Sequence, residues 1–108
     1  PDRVFFATNK SSLTTASRAT LRKQATYLRK NKNLNVTIEG HADERGTREY
    51  NLALGERRAN AARDYLMTYG ISGKRISVIS YGKEKPVNPA STPLAWSQNR
   101  RSVTVKVN

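Results

Sequence analysis

The sequence contains no cysteine, and only 8 of its 108 residues are acidic. Without cysteine there is no disulfide framework, thiol catalysis, zinc ribbon or iron–sulfur cluster. A single histidine leaves almost no room for a histidine-rich metal site, so we expect neither a metal nor another cofactor. No apolar stretch approaches the ~18 residues of a membrane-spanning helix. These absences exclude thiol enzymes and cysteine-ligated metal centres, and within this sequence they leave no candidate for a membrane-spanning helix.

The basic residues are abundant: 20 Lys and Arg give a formal net charge of +12. Such a charge favours an anionic partner, and nucleic acid, an acidic membrane surface and an acidic cell-wall polymer remain open. Five of the eight acids fall between residues 39 and 56, so this region has mixed sign and suits a zwitterion better than a polyanion. The few aromatic residues form no pattern typical of single-strand binders, which argues against nucleic acid.

The length predicts a single domain over residues 1–108. Apolar spacing predicts one helix from Leu13 to Leu28, with Thr14 as its N-cap, and a second from Leu52 to Tyr69, ended by Gly70. Strands are predicted at Arg3–Phe6, Leu34–Glu39, Ile76–Tyr81 and Val103–Val107, and a surface loop at Pro86–Pro93. The order β-α-β-α-β-loop-β predicts an α+β fold with a four-stranded mixed sheet and helices on one face. Strand order does not follow from the pattern.

The polar segment Gly40–Thr47 is the densest candidate site, because it leaves a strand and enters a helix. His41 and Asp43 lie within it. A Ser-His-Asp enzyme needs a nucleophile held beside the histidine, and no G-x-S-x-G elbow is present. We therefore expect a binding protein rather than an enzyme, with His41 most simply a hydrogen-bonding residue that organises the loop.

Asn51, Gly55 and Arg58 share one face of the second predicted helix. Gly55 either leaves a shallow space between its neighbours or lets another element pack closely. An arginine in a helix leans towards the helix N-terminus, so Arg58 approaches the loop that carries Asp43. The two side chains either clamp a zwitterionic amino acid or form an ion pair with each other.

Four ordered motifs, Gly40–Gly46, Asn51–Ala59, Tyr81–Pro86 and Asn99–Arg101, closely resemble the OmpA C-terminal-like peptidoglycan-binding family. The variants at Ala42–Gly46 and Gly82–Glu84 resemble its lipid-anchored members more than its porins or flagellar stator proteins. The resemblance implies non-covalent binding of the meso-diaminopimelate of the peptidoglycan stem peptide. It implies that Arg58 pairs with the diaminopimelate carboxylate and that Asp43 holds its ammonium group.

The resemblance adds Leu54, Asn51, Asn99 and Arg100 to Asp43 and Arg58, and with His41 of the polar segment and Asn9 of the segment after the first strand they make up the candidate site. We expect an Arg58→Ala variant to keep its fold and to lose at least about tenfold in affinity. One departure concerns the segment Phe6-Ala7-Thr8-Asn9, where Ala7 and Asn9 stand in place of carboxylates that the family commonly has.

The family resemblance implies two further partners. Lipid-anchored members bind the periplasmic propeller protein of the Tol system through an overlapping surface, so a docking module for that propeller is the alternative function. They are tethered to the periplasmic face of the outer membrane by an N-terminal lipidated cysteine. The absence of cysteine is then expected to mean that the lipidated segment was removed.

Overall fold

The computed structural model describes residues 1–107, in which a four-stranded sheet is combined with helices, and the predicted α+β class is confirmed. Asn108, the last residue of the predicted domain, lies outside the described residues. In chain order the elements are β1 (Arg3–Phe5), α1 (Thr15–Lys30), β2 (Val36–His41), α2 (Arg48–Thr68), a 3₁₀ turn (Gly73–Arg75), β3 (Ile76–Gly82), α3 (Pro93–Asn99) and β4 (Arg101–Lys106).

The sheet has the strand order β1-β4-β2-β3 and is mixed, as predicted. β2 and β3 are parallel and are joined by the crossover helix α2, whereas β4 is antiparallel to both β1 and β2. Arg101, at the start of β4, pairs with Phe5 at the end of β1 and with His41 at the end of β2. The segments that follow β1 and β2 therefore leave the sheet at the same end.

The two long helices begin where hydroxyl side chains cap them. Thr14, the predicted N-cap of α1, accepts a hydrogen bond from the Ser17 amide at 3.0 Å. Thr47 caps α2 in the same way, accepting from the Tyr50 amide at 3.1 Å. Because this cap supplies an acceptor for the unpaired amides of the first turn, α2 begins at Arg48, before the apolar pattern does.

The predicted loop at Gly40–Thr47 is wrong at its start, because β2 continues through Gly40 and His41 in register with β4. Gly40 lies against Gly55 of α2, and a Cβ on Gly40 would overlap the Gly55 carbonyl oxygen. Gly55 therefore lets a strand approach the helix closely. The alternative of a shallow space at Gly55 is wrong.

A helix that the sequence pattern did not predict lies between β3 and β4. α3 begins at Pro93, and its N-cap Thr92 accepts from the Ala95 amide at 3.1 Å. With only seven residues, of which Ala95 and Asn99 are buried, α3 has too few apolar positions to show a helical period.

The hydrophobic core lies between α1, α2 and one face of the sheet, so the prediction of helices on one face is confirmed for these two. Its largest fully buried apolar side chains are Leu21, Ile38, Leu66 and Ile71. The other face of the sheet is partly open, with Phe5, Ile79 and Val105 each about two-fifths exposed or more. Among the described helices, none is both long and apolar enough to cross a bilayer.

Candidate functional site

A pocket of about 220 Å³ opens at the end of the sheet where β1 and β2 terminate. The segment after β1, the segment after β2 and the first half of α2 form its walls. The lining residues are Thr8, Asn9, Asp43, Arg45, Gly46, Tyr50, Asn51, Leu54 and Arg58. The pocket therefore brings together five of the eight predicted site residues: Asn9, Asp43, Asn51, Leu54 and Arg58.

Arg58 is the most deeply buried charge of the pocket, with none of its surface exposed. Its guanidinium donates to three backbone carbonyls, those of Lys10 at 2.9 Å, His41 at 2.9 Å and Ala7 at 3.1 Å. Burial lowers the pKa of Arg58 to about 10, so the group remains charged at neutral pH. One side chain thus fastens the segment after β1 to the end of β2.

Arg58 keeps hydrogen-bonding capacity for a ligand. A guanidinium has five N–H groups, of which three are used by the carbonyls. Nη1 and Nη2 each carry a second hydrogen, and the side chain lines the pocket. A guanidinium with two N–H groups left over can grip a carboxylate through parallel hydrogen bonds when both groups face the ligand.

Asp43 supplies the negative charge of the pocket and is 6% exposed. Its carboxylate accepts from the Arg45 side chain at 2.8 and 3.1 Å, from the Arg45 amide at 3.0 Å and from Arg100 at 3.4 Å. Burial raises the pKa of Asp43, but the hydrogen bonds from Arg45 and Arg100 outweigh it and hold the pKa below its ordinary value. The alternative of an Asp43–Arg58 ion pair is wrong, because each group has other partners.

Arg45 was not singled out from the sequence, although it closes one side of the pocket. Its guanidinium lies 4.1 Å from the ring centroid of Trp96 on α3 and also bonds Asp43. The Trp96 indole donates to Glu44 at 2.8 Å, and the Ser91 hydroxyl donates to the same carboxylate at 3.0 Å. The unpredicted helix α3 therefore holds Arg45 in place through Trp96. The sequence signal for the start of this helix was Thr92 as N-cap followed by Pro93.

Asn51 and Leu54 form the α2 wall of the pocket. Asn51 donates to the carbonyls of Arg45 at 2.8 Å and Thr47 at 3.0 Å, so it fixes the segment that enters the helix. Leu54 is 3% exposed and presents an apolar surface. The opposite wall carries Asn9, whose backbone is left-handed at φ 59°, a conformation that asparagine tolerates better than most residues.

The remaining predicted site residues lie outside the lining. The His41 ring bonds Glu39 at 3.0 Å and stacks on Tyr81, and only its backbone carbonyl contacts Arg58. Asn99 accepts from the amides of Val87 and Asn88, so it organises the segment after β3. Arg100 stands behind the pocket, where it donates to the Phe6 carbonyl at 2.8 Å and to Asp43.

The pocket has an excess of positive charge, because the guanidinium groups of Arg45, Arg58 and Arg100 surround the single carboxylate of Asp43. Such a site attracts a ligand carboxylate strongly. Asp43 and the neutral side-chain oxygens of Thr8, Asn9, Tyr50 and Asn51 are acceptors that it offers to a ligand ammonium group. The described residues of the lining thus carry groups for both ligand charges and include no nucleophile with a base beside it.

Comparison with known proteins gives consistent results. The profile of the OmpA family matches residues 5–100. The chain is 60% identical over 104 residues to the peptidoglycan-associated lipoprotein of Rhizobium meliloti and 55% identical to that of Agrobacterium fabrum, covering 96% of this chain and 59% of each relative. The chain thus spans about three-fifths of the length of the curated relatives it matches. These are lipoproteins, the branch indicated by the variants at Ala42–Gly46 and Gly82–Glu84.

Solved structures show the same fold. The peptidoglycan-associated lipoprotein of Burkholderia pseudomallei superposes with a TM-score of 0.95 at 39% identity, covering 98% of this chain and 90% of that one. The C-terminal domain of Helicobacter pylori MotB superposes with a TM-score of 0.92 at 19% identity, covering 100% of this chain and 85% of that one. At that identity the second likeness concerns the fold alone.

Proposed function

The chain belongs to the OmpA family, and from this we propose that its pocket binds the meso-diaminopimelate of peptidoglycan stem peptides. It is a binding protein and not an enzyme. The side chain of diaminopimelate ends in an ammonium and a carboxylate on one carbon. The relatives named above are called peptidoglycan-associated, which supports peptidoglycan as the polymer.

One observation carries the proposal: a buried guanidinium with two uncommitted N–H groups lines the same pocket as a buried, ionised carboxylate. In the proposed complex Arg58 grips the ligand carboxylate and Asp43 accepts from its ammonium group. Leu54 contacts the methylene chain, and Asn51 holds the pocket wall in place. Arg100 supports Asp43 from behind, while His41 and Asn99 act only through the backbone segments that they organise.

We propose that this binding anchors the outer membrane to the cell wall. The curated relatives are named lipoproteins, which supports a lipid tether and a location at the periplasmic face of the outer membrane. The proposed tether and the pocket would hold the domain at two points, to the bilayer through the lipid and to the wall through diaminopimelate. No covalent step is required for either contact.

The test is calorimetric titration with a diaminopimelate-containing muropeptide and, in parallel, its lysine-containing analogue. We expect saturable binding to the first, and at least about tenfold weaker binding to the second, which lacks the carboxylate that Arg58 would grip. Asp43→Asn should also lose at least about tenfold, since it removes the charge that holds the ammonium group. Asp64→Asn is the matched control, because it removes one exposed carboxylate from α2 outside the pocket.

Two outcomes would contradict this proposal. Equal affinity for both muropeptides would exclude the zwitterion clamp. Unchanged affinity in Asp43→Asn would place the ligand elsewhere on the domain.

A second candidate function is docking of the periplasmic Tol propeller protein across the mouth of the pocket. The observation that favours it is an exposed apolar side chain on α3, the helix whose Trp96 stacks on Arg45: Leu94 is 68% exposed. Muropeptide should then compete with the propeller for the domain. Binding of the propeller without any binding of muropeptide would make docking the main function.

A further inference from the structure

A large part of the positive charge lies outside the pocket. From Lys10 to Lys32 the chain contains no acidic residue. The cations of this stretch are Lys10, Arg18, Arg22, Lys23, Arg29, Lys30 and Lys32, and none of them lines the pocket. The proposed binding of a single zwitterion leaves this concentration of charge unexplained.

The C-terminal end of the basic helix α1 is far from the pocket. α1 lies along α2, with Arg22 donating to the Tyr65 hydroxyl at 3.1 Å and Arg29 to the Tyr69 carbonyl at 3.1 Å. Arg58 belongs to the pocket, and Tyr69 caps the far end of α2. At 1.5 Å per residue, this separation along the helix is about 16 Å. The C-terminal end of α1 therefore lies at the opposite end of α2 from the pocket.

Four exposed cations gather at this end: Arg29, Lys30, Lys32 and Lys74, which we call the distal basic cluster. Within residues 1–107 no member of the cluster forms an ion pair. The ammonium groups of its three lysines also make no hydrogen bond to any described residue. Their charges are directed to solvent and are not neutralised by the protein.

Hydrogen bonds from Arg75 fix the backbone that carries the distal basic cluster. The side chain of Arg75 donates to the carbonyls of Leu28 at 2.9 Å, Asn31 at 2.8 Å and Leu34 at 2.8 Å. Asn31 in turn caps α1 by bonding the Tyr27 carbonyl with its backbone and side-chain nitrogens. These bonds join the end of α1, the lead into β2 and the turn before β3, so they fix the backbone positions from which the distal cations extend.

We propose that the distal basic cluster contacts the surface of a bilayer that contains anionic phospholipids. Long, flexible side chains with point charges suit a flat anionic surface. They attract it at distances up to about 10 Å, within which salt does not yet screen the interaction strongly. The choice of a bilayer rests on the envelope role proposed above. With the pocket at the other end, the domain contacts membrane and wall at the same time.

The test is co-sedimentation of the domain with vesicles made of equal parts phosphatidylglycerol and phosphatidylcholine, and with pure phosphatidylcholine vesicles. The test variant is Lys30→Gln/Lys32→Gln/Lys74→Gln. The control, Arg3→Gln/Arg48→Gln/Arg57→Gln, removes the same charge from exposed positions outside the cluster. We expect binding to the anionic vesicles alone, a loss of at least about tenfold in the test variant and less than about threefold in the control.

Muropeptide titration of both variants separates this inference from the proposed function, because neither variant alters the pocket lining. Retained muropeptide binding with lost vesicle binding is the expected result. Vesicle binding by a domain that binds no muropeptide would refute the pocket proposal and keep the cluster. Equal losses in the two variants, or binding to neutral vesicles, would overturn the cluster proposal. Tighter binding to a DNA duplex than to the anionic vesicles, lost in the test variant, would replace the lipid with nucleic acid.

Discussion

Replacing Arg58 with alanine tests both the fold and the pocket. The substitution removes the donor to three backbone carbonyls, of which the contact with His41 is fully buried. Each hydrogen bond to a charged group contributes about 1.5–3 kcal/mol, whereas the buried guanidinium carries a desolvation cost that its removal recovers. Leaving a buried acceptor without a partner costs about 1–3 kcal/mol, and truncating a fully buried side chain to alanine costs about 2–5 kcal/mol, so the net loss is about 3–5 kcal/mol. We therefore expect Arg58→Ala to lose about this amount of unfolding free energy.

The assay is urea unfolding followed by circular dichroism. At a slope of about 1–3 kcal/mol per molar urea, the midpoint should fall by more than about 1 M. Arg57→Ala is the matched control, because Arg57 is the exposed neighbour on the same helix and should change the midpoint little. An Arg58→Ala midpoint equal to that of the unmodified domain would refute the structural role.

The structure thus argues against the expectation that Arg58→Ala keeps its fold. Arg58→Lys is the better binding variant, because it retains a positive charge in the pocket. A single ammonium group cannot reproduce the planar fork that reaches three carbonyls and a ligand carboxylate. We expect Arg58→Lys to fold with intermediate stability and to bind muropeptide at least about tenfold more weakly.

Three further predictions follow from the same contacts. Gly55→Ala should destabilise the domain by about 1–3 kcal/mol in urea unfolding, because the new Cβ lies 2.9 Å from the Gly40 carbonyl oxygen. This loss should outweigh the helix preference of alanine, which is about 1 kcal/mol. A gain in stability would refute the close packing. Burial, together with the charges of Arg101 and Lys85, lowers the pKa of His41 against the opposing effect of Glu39. As the pH drops below 6.5 the unfolded chain therefore takes up a proton before the folded one, and the free energy of unfolding should fall. His41→Gln should remove this pH dependence in unfolding measured across that range, and a variant that keeps it would assign the effect to another group. Amidation of the side-chain carboxylate of diaminopimelate should weaken binding at least about tenfold by calorimetry, and equal binding of both forms would exclude Arg58 as the carboxylate clamp.

The core and the main site residues were predictable because each left a periodic or local signal. Leu21, Ala25 and Leu28 recur at helical spacing and are all buried in the core. Arg58 lies four residues, about one turn, beyond Leu54 on the buried face of α2. An arginine at this place leans towards the helix N-terminus and therefore lies beside the segment that carries Asp43.

The rest of the site depends on contacts between residues far apart in the sequence. The Arg45–Trp96 stack requires α3, a helix too short to show a period. The position of His41 depends on where β2 ends: because the strand continues through His41, the alternation of side chains turns its ring towards Glu39 and Tyr81. One partner of Asp43 likewise follows from sheet register, which brings Arg100 to the end of β2.

In the proposed complex, the loop after β1 would determine which end of the ligand dominates recognition. Ala7 and Asn9 leave Asp43 as the one carboxylate among the described residues that line the pocket. Asp43 is already bonded by Arg45 and Arg100, so a ligand ammonium has to share it with two guanidinium groups. In the proposed complex the ligand carboxylate would meet the N–H groups of Arg58 that no described residue uses, with no such competitor. Selectivity for diaminopimelate over lysine would therefore arise at the carboxylate, the group by which these two side chains differ.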